Sequence, residues 1–90
     1  MGSSSRFDLQ DGSFIDWQIK PIRPDRWRPH GARYRLAWVQ DGICRVLFGN
    51  HHGKRDHLHV DGREGDYGFA SVGKLWDDFF LEIRRLGGFV

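Results

Sequence analysis

Four of the five histidines fall within nine residues, in the segment Asn50-His51-His52-Gly53-Lys54-Arg55-Asp56-His57-Leu58-His59. Imidazole both takes and gives a proton near neutral pH. Lys54, Arg55 and Arg63 place cations nearby, where they can offset charge building on a phosphate. The set fits metal-independent cleavage of RNA, in which a base removes the 2′-hydroxyl proton, an acid protonates the leaving oxygen and a cation stabilises the phosphorane. On that reading His57 and His59 are the acid/base pair, His51, His52 and Lys54 assist, and Asp56 orients a histidine or competes for an arginine. A second reading is a metal site, because His57-x-His59 projects two imidazoles from one strand face and His51 or His52 completes a set. No cysteine and no helix-borne His–Glu pair supports it, so a site without metal or cofactor is the expectation. A third reading is a wet turn and strand face whose histidines are hydrogen-bonded or bind phosphate passively.

The charge distribution bears on the same segment. The chain carries a formal net charge of +2. Residues 20–57 hold nine basic residues against three acidic ones, a net +6, and each flank sums to −2. The stretch 21–31 contains Pro21, Pro24, Pro29 and Gly31 among Arg23, Arg26, Trp27, Arg28 and His30. Proline fixes φ and removes a ladder donor, so this is a basic loop. Arginine suits bidentate phosphate contact and base stacking. Arg23, Arg26, Arg28, Arg33, Arg35, Arg55 and Arg63, with Trp27 as a stacking platform, are therefore the candidate nucleic-acid contacts. The competing reading makes Trp27 an anchor for the loop and the cations a solvated face or a seat for an acidic partner protein.

Strands and one helix must position these groups. Phe7 and Leu9 alternate with polar residues before Asp11-Gly12, and Phe14–Ile19 returns with Ile15, Trp17 and Ile19 on one face. Arg33–Gln40 alternates again, with Tyr34, Leu36 and Trp38 on one face, and Asp41-Gly42 turns it into Ile43–Phe48. Cys44, the only cysteine, lies in that apolar run and is read as core filling. Asp56–Val60 is a short strand with His57 and His59 on one face, and Asp61-Gly62 and Glu64-Gly65 mark further turns. Ser71 caps a helix whose Val72, Leu75, Trp76, Phe79, Ile83 and Leu86 form one apolar stripe, with acids early, arginines late and Gly87-Gly88 at its end. Phe80 lies off the stripe, and either widens the core face or meets a partner. The expected fold class is α+β, an antiparallel sheet of about four to five strands with one C-terminal helix packed on one face. Residues 1–5 are set aside as a flexible leader, and residues 6–90 form a single domain.

The size fits one small core, since the chain has 90 residues, of which 39% are hydrophobic and 14% aromatic. No run approaches the roughly 20 apolar residues of a membrane span. No secretory h-region is present and one cysteine excludes an internal disulfide, so a cytoplasmic location is expected.

Two stretches resemble the TumE-type toxins of prokaryotic toxin–antitoxin systems. One is Tyr34-Arg35-Leu36-Ala37-Trp38-Val39-Gln40-Asp41-Gly42, similar to the family's Y-R-L-A-aromatic strand and turn. The other is Asn50 to His59, similar to its D-N-x-x-G-K-x-D-H-x-H motif. Tyr67-Gly68-Phe69-Ala70-Ser71 and Leu75-Trp76-Asp77-Asp78-Phe79 extend the likeness toward the C-terminus. One departure is Gly49, where the family usually has an acid before the asparagine. The resemblance implies a toxin neutralised by a helix-turn-helix antitoxin. RNA cleavage rests on the residues themselves, and its alternative is a non-enzymatic basic module binding nucleic acid or an acidic partner.

Overall fold

The computed structural model describes residues 3–50 and 55–88. Six strands form one antiparallel sheet in chain order: β1 (Ser3–Asp8), β2 (Phe14–Pro21), β3 (Ala32–Gln40), β4 (Ile43–Gly49), β5 (His57–Val60) and β6 (Arg63–Asp66). Helix α1 (Val72–Arg85) follows. Each strand pairs with its sequence neighbour, so the sheet is a simple meander.

Two turns explain much of this regularity. Asp41 and Gly42 adopt φ of 54° and 76°, and Asp61 and Gly62 adopt 48° and 83°. Positive φ at both central residues is the type I′ geometry, whose twist matches that of the strands it joins. The first turn closes β3 on β4 and the second closes β5 on β6. Asp11-Gly12 instead sits in a longer loop, where the Asp11 carboxylate accepts from the Ser13 N–H and hydroxyl.

The period-2 pattern of β2 to β5 sorts the side chains cleanly. Ile15, Tyr34, Leu36, Trp38, Val46 and Phe48 face the helix, which buries Leu75, Phe79 and Ile83 against them. All nine are 3% exposed or less. Burial of such side chains contributes about 1.5–3 kcal/mol each, so this layer dominates the stability of the domain. The Ser71 hydroxyl caps α1 by accepting from the Lys74 N–H. Gly88 must be glycine, because a Cβ there would collide with Ile83 and Trp38.

Several expectations are corrected. The sheet has six strands, because Glu64-Gly65 lies inside β6 and makes no turn. Ser3–Ser5, within the segment set aside as leader, belong to β1 and pair with Ile19, Gln18 and Trp17. Cys44 is exposed and does not fill the core. A register shift lets Trp38 pair with Val46 but Val39 with Cys44, which leaves Arg45 as the extra residue and turns Cys44 to the face away from the helix. The first turn of α1 carries no acid, while Arg84 and Arg85 occupy its last turn. Val72 is 41% exposed and lies outside the buried stripe. Phe80 packs against the core and lines an apolar groove with Phe7, Trp17 and Trp76.

Candidate functional site

Strand β5 lies between β4 and β6, and its alternation decides which groups reach which side. Leu58 packs toward the helix, so His57 and His59 project from the opposite, open face of the sheet. Their ring centroids are 5.4 Å apart and the rings are nearly perpendicular, at 85°. Register places His57 opposite Asp66 and His59 opposite Glu64. His59 Nε2 lies 3.3 Å from Glu64 Oε2, and the His59 side chain is 35% exposed.

His57 is the more enclosed ring, at 7% exposure. Its Nδ1 lies 2.9 Å from the Arg55 carbonyl oxygen. A carbonyl only accepts, so Nδ1 is the donor in this contact. A hollow of about 450 Å³ opens at the end of the β5–β6 ladder, lined by Arg55, Asp56, His57, Glu64, Gly65 and Asp66. Three acidic residues and one arginine line it, so a phosphate seated there needs cations from elsewhere.

Asp56 precedes His57 and serves the other side of the sheet. Its carboxylate accepts from the Tyr34 hydroxyl at 2.6 Å and lies 2.9 Å and 3.1 Å from His30 Nε2. The Ala32 N–H donates to His30 Nδ1 at 3.2 Å, so the proton of a neutral His30 is on Nε2 and points at Asp56. The His30 ring stacks on Phe69 with centroids 4.1 Å apart. Burial, and then the Asp56 carboxylate, push the Tyr34 phenol well above the usual tyrosine range. The Asp56 carboxylate thus meets a histidine, but that histidine is His30, which the reading of the sequence had not included. Twenty-six residues separate the two, and no local spacing reveals such a pair. The available signal was Tyr34 at a core position, since a buried hydroxyl requires a partner.

Asn50 is fully buried and extends the β3–β4 ladder with its side chain. Its Oδ1 accepts from the Tyr34 N–H at 3.0 Å and its Nδ2 donates to the Ala32 carbonyl at 2.8 Å. Arg28 donates to the Asn50 carbonyl at 3.0 Å and to Asp25 at 2.8 Å. Asp25 also accepts from the backbone N–H groups of Trp27 and Arg28, and the Arg28 guanidinium holds its carboxyl below the usual range. The basic loop is thereby bolted to the end of β4.

The remaining expected site residues separate. His51, His52 and Lys54 lie outside the described residues. Arg28 is 4% exposed and engaged by Asp25 and Asn50, which removes it from the accessible cations. Arg23 and Arg26 are exposed on the loop, and Trp27 is half-buried with the Arg26 guanidinium carbon 5.0 Å from its ring centroid. Arg33 and Arg35 are exposed on the open face of β3, the same face as the histidines. Arg63 is turned to the helix side, beside Leu58 and Leu86. Among the described residues no group of three or more His, Cys, Asp or Glu side chains is placed to hold a metal ion. No helix among them is long and apolar enough to cross a membrane.

A meander sheet with one capping helix and a histidine pair on its uncovered face defines a small α+β domain with its polar groups gathered at one end of the sheet. The family model described as Toxin TumE matches residues 3–86, nearly the whole chain. The protein therefore belongs to the TumE toxin family, the toxin halves of toxin–antitoxin systems, and the family implies an antitoxin partner. No curated protein and no solved structure gives a significant match.

Proposed function

We propose that this toxin acts on RNA by metal-independent acid/base cleavage, with His57 and His59 carrying the protons. The supporting observation is the pair of imidazoles on one strand face, 5.4 Å apart, of which His57 lines a hollow. His57 takes the 2′-hydroxyl proton. The 2′-oxygen attacks phosphorus, and His59 protonates the departing 5′-oxygen. The products are a 2′,3′-cyclic phosphate and a 5′-hydroxyl. Arg55 lines the hollow, and His51, His52 and Lys54 precede it in the same segment as helpers. Asp56 acts as a positioning residue through His30 and Tyr34. The partner is a helix-turn-helix antitoxin that neutralises the toxin by binding it.

The test is cleavage of cellular RNA by purified protein in excess chelator. His57→Ala and His59→Ala should each lower the rate by about 10²–10⁴-fold, the usual worth of a positioned proton carrier. Undiminished cleavage by both variants overturns the assignment, and cleavage abolished by chelator points to a metal instead. The carboxylates around the hollow favour a second reading, a binding module without catalysis. That reading expects RNA binding that weakens steeply with salt and no cyclic-phosphate product.

A further inference from the structure

The open face carries a second polar feature away from the histidines. Lys20 and Arg33 are directly paired across β2 and β3, and Gln18 and Arg35 form the next pair on the same face. These four side chains, with Tyr34, line a hollow of about 190 Å³. Like charges directly opposite one another destabilise a sheet, so a Lys–Arg pair in register needs a reason. Neither Lys20 nor Arg33 makes an ion pair among the described residues, and Arg35 only approaches Asp16 at 4.0 Å. Arg28 and Arg45 show the contrast, with carboxylates at 2.8 Å and 2.9 Å.

We infer that Lys20, Arg33 and Arg35, with Gln18, form a binding subsite for a backbone phosphate of an RNA chain. Three cations from two adjacent strands converge on one small hollow, whereas Arg23 and Arg26 stand out from a loop. Arginine forks a phosphate through two donors, lysine adds a point charge, and the Gln18 amide can donate to a further oxygen. Bound phosphate also relieves the repulsion between Lys20 and Arg33. Gln18, Arg35, Gly49, His57 and Asp66 lie in one register row across the sheet. Strands are spaced about 4.8 Å apart, so the Arg35 position is about 10 Å from that of His57. The phosphate held here therefore flanks the one being cleaved, and the RNA crosses the strands. This inference rests on the proposed action on RNA and adds the path of the chain.

The experiment measures binding of a 2′-O-methyl oligonucleotide, which lacks the attacking hydroxyl, by fluorescence anisotropy over a salt series. Lys20→Gln/Arg33→Gln should weaken binding at least tenfold at low salt. The slope of log K against log salt should fall by about 1.4, for two lost contacts to a single strand. With cleavable RNA the same variant should raise KM while the saturating rate stays within twofold, opposite to the effect of His59→Ala. Thermal unfolding should show no loss of stability, since a half-buried lysine and an exposed arginine that repel each other across the strands lose their charges. Unchanged affinity and salt slope overturn the subsite. So does loss of binding to poly-glutamate with oligonucleotide binding intact, which would assign the patch to an acidic protein segment. The oligonucleotide arm needs no cleavage, so failure of the catalytic proposal is distinguishable from failure of this one.

Discussion

Asp56 and His57 are adjacent in the chain and serve opposite sides of the sheet. On the helix side, His30 has Ala32 N–H on one ring nitrogen and Asp56 on the other, and its face lies against Phe69. Every polar atom of that centre has a partner, and the Asp56 side chain is 11% exposed. On the open face, His59 makes a longer contact to Glu64 and its side chain is 35% exposed, and Glu64 and His57 line a hollow wide enough for a ligand. The same two residue types, imidazole and carboxylate, thus build a clamp on one side and a looser, part-exposed pair on the other. The difference lies in packing: both His30 nitrogens are hydrogen-bonded and its ring stacks on Phe69, whereas His59 meets Glu64 at 3.3 Å and the edge of the His57 ring.

The largest expected break in this comparison is Asp56→Ala. It leaves the Tyr34 hydroxyl and the His30 N–H without their acceptor, at about 3 kcal/mol by the usual worth of hydrogen bonds to a charged group. In a domain of this size that lowers the thermal midpoint by roughly 10 °C or more. His59→Ala, by contrast, should change stability by no more than about 0.5 kcal/mol, as expected for a partly exposed position. Chemical denaturation of the two variants side by side checks both; equal losses would erase the distinction between clamp and open face.

A smaller effect separates the centres by pH. The Tyr34 phenol is raised in the folded protein, so its neutral form stabilises the fold below the unfolded tyrosine pKa, and this contribution is lost as pH rises above about 10. Tyr34→Phe should cost about 1 kcal/mol at neutral pH and flatten the alkaline fall in thermal midpoint. Tyr67, raised by burial and by Asp78, leaves a residual slope. An alkaline slope identical to wild type would remove Tyr34 from that account. The smallest effect belongs to the loop. Asp25 is depressed by Arg28, so its contribution is present above the unfolded carboxylate pKa and fades as pH falls below about 4. Asp25→Asn should reduce the acid-side slope of the melting curve slightly, without moving the alkaline side.

Much of the positioning was legible in the sequence. Alternation placed Leu58 apart from His57 and His59, and Tyr34, Leu36 and Trp38 on the covered face, because period 2 has only two outcomes. The Asp-Gly pairs at 41–42 and 61–62 announced tight hairpins through their tolerance of positive φ. Strand β6 was hidden because Arg63-Glu64-Gly65-Asp66 has no apolar alternation; its pairing is imposed by the turn before it and by β5 beside it. The clamp was hidden for a different reason. Asn50, Arg28 and His30 are polar residues in loop-like sequence, and only the tertiary fold gives them partners far along the chain. Arg28 misled most, since a charge count treats every arginine as accessible, although Asp25 stood three residues away. The exposure of Cys44 depends on a single extra residue in β4, and register slips of that kind leave no trace in composition.

The meander has a consequence for the making of the protein. Because every strand pairs with the one before it, folding closes only short loops and can follow the ribosome. The histidine strand is the fifth of six, and the apolar side of the sheet is covered only when Ile83 has emerged. For most of its synthesis the chain therefore lacks both the histidine pair and the helix that covers the other face of the sheet. The histidine pair thus gains its finished platform only with the last turns of α1.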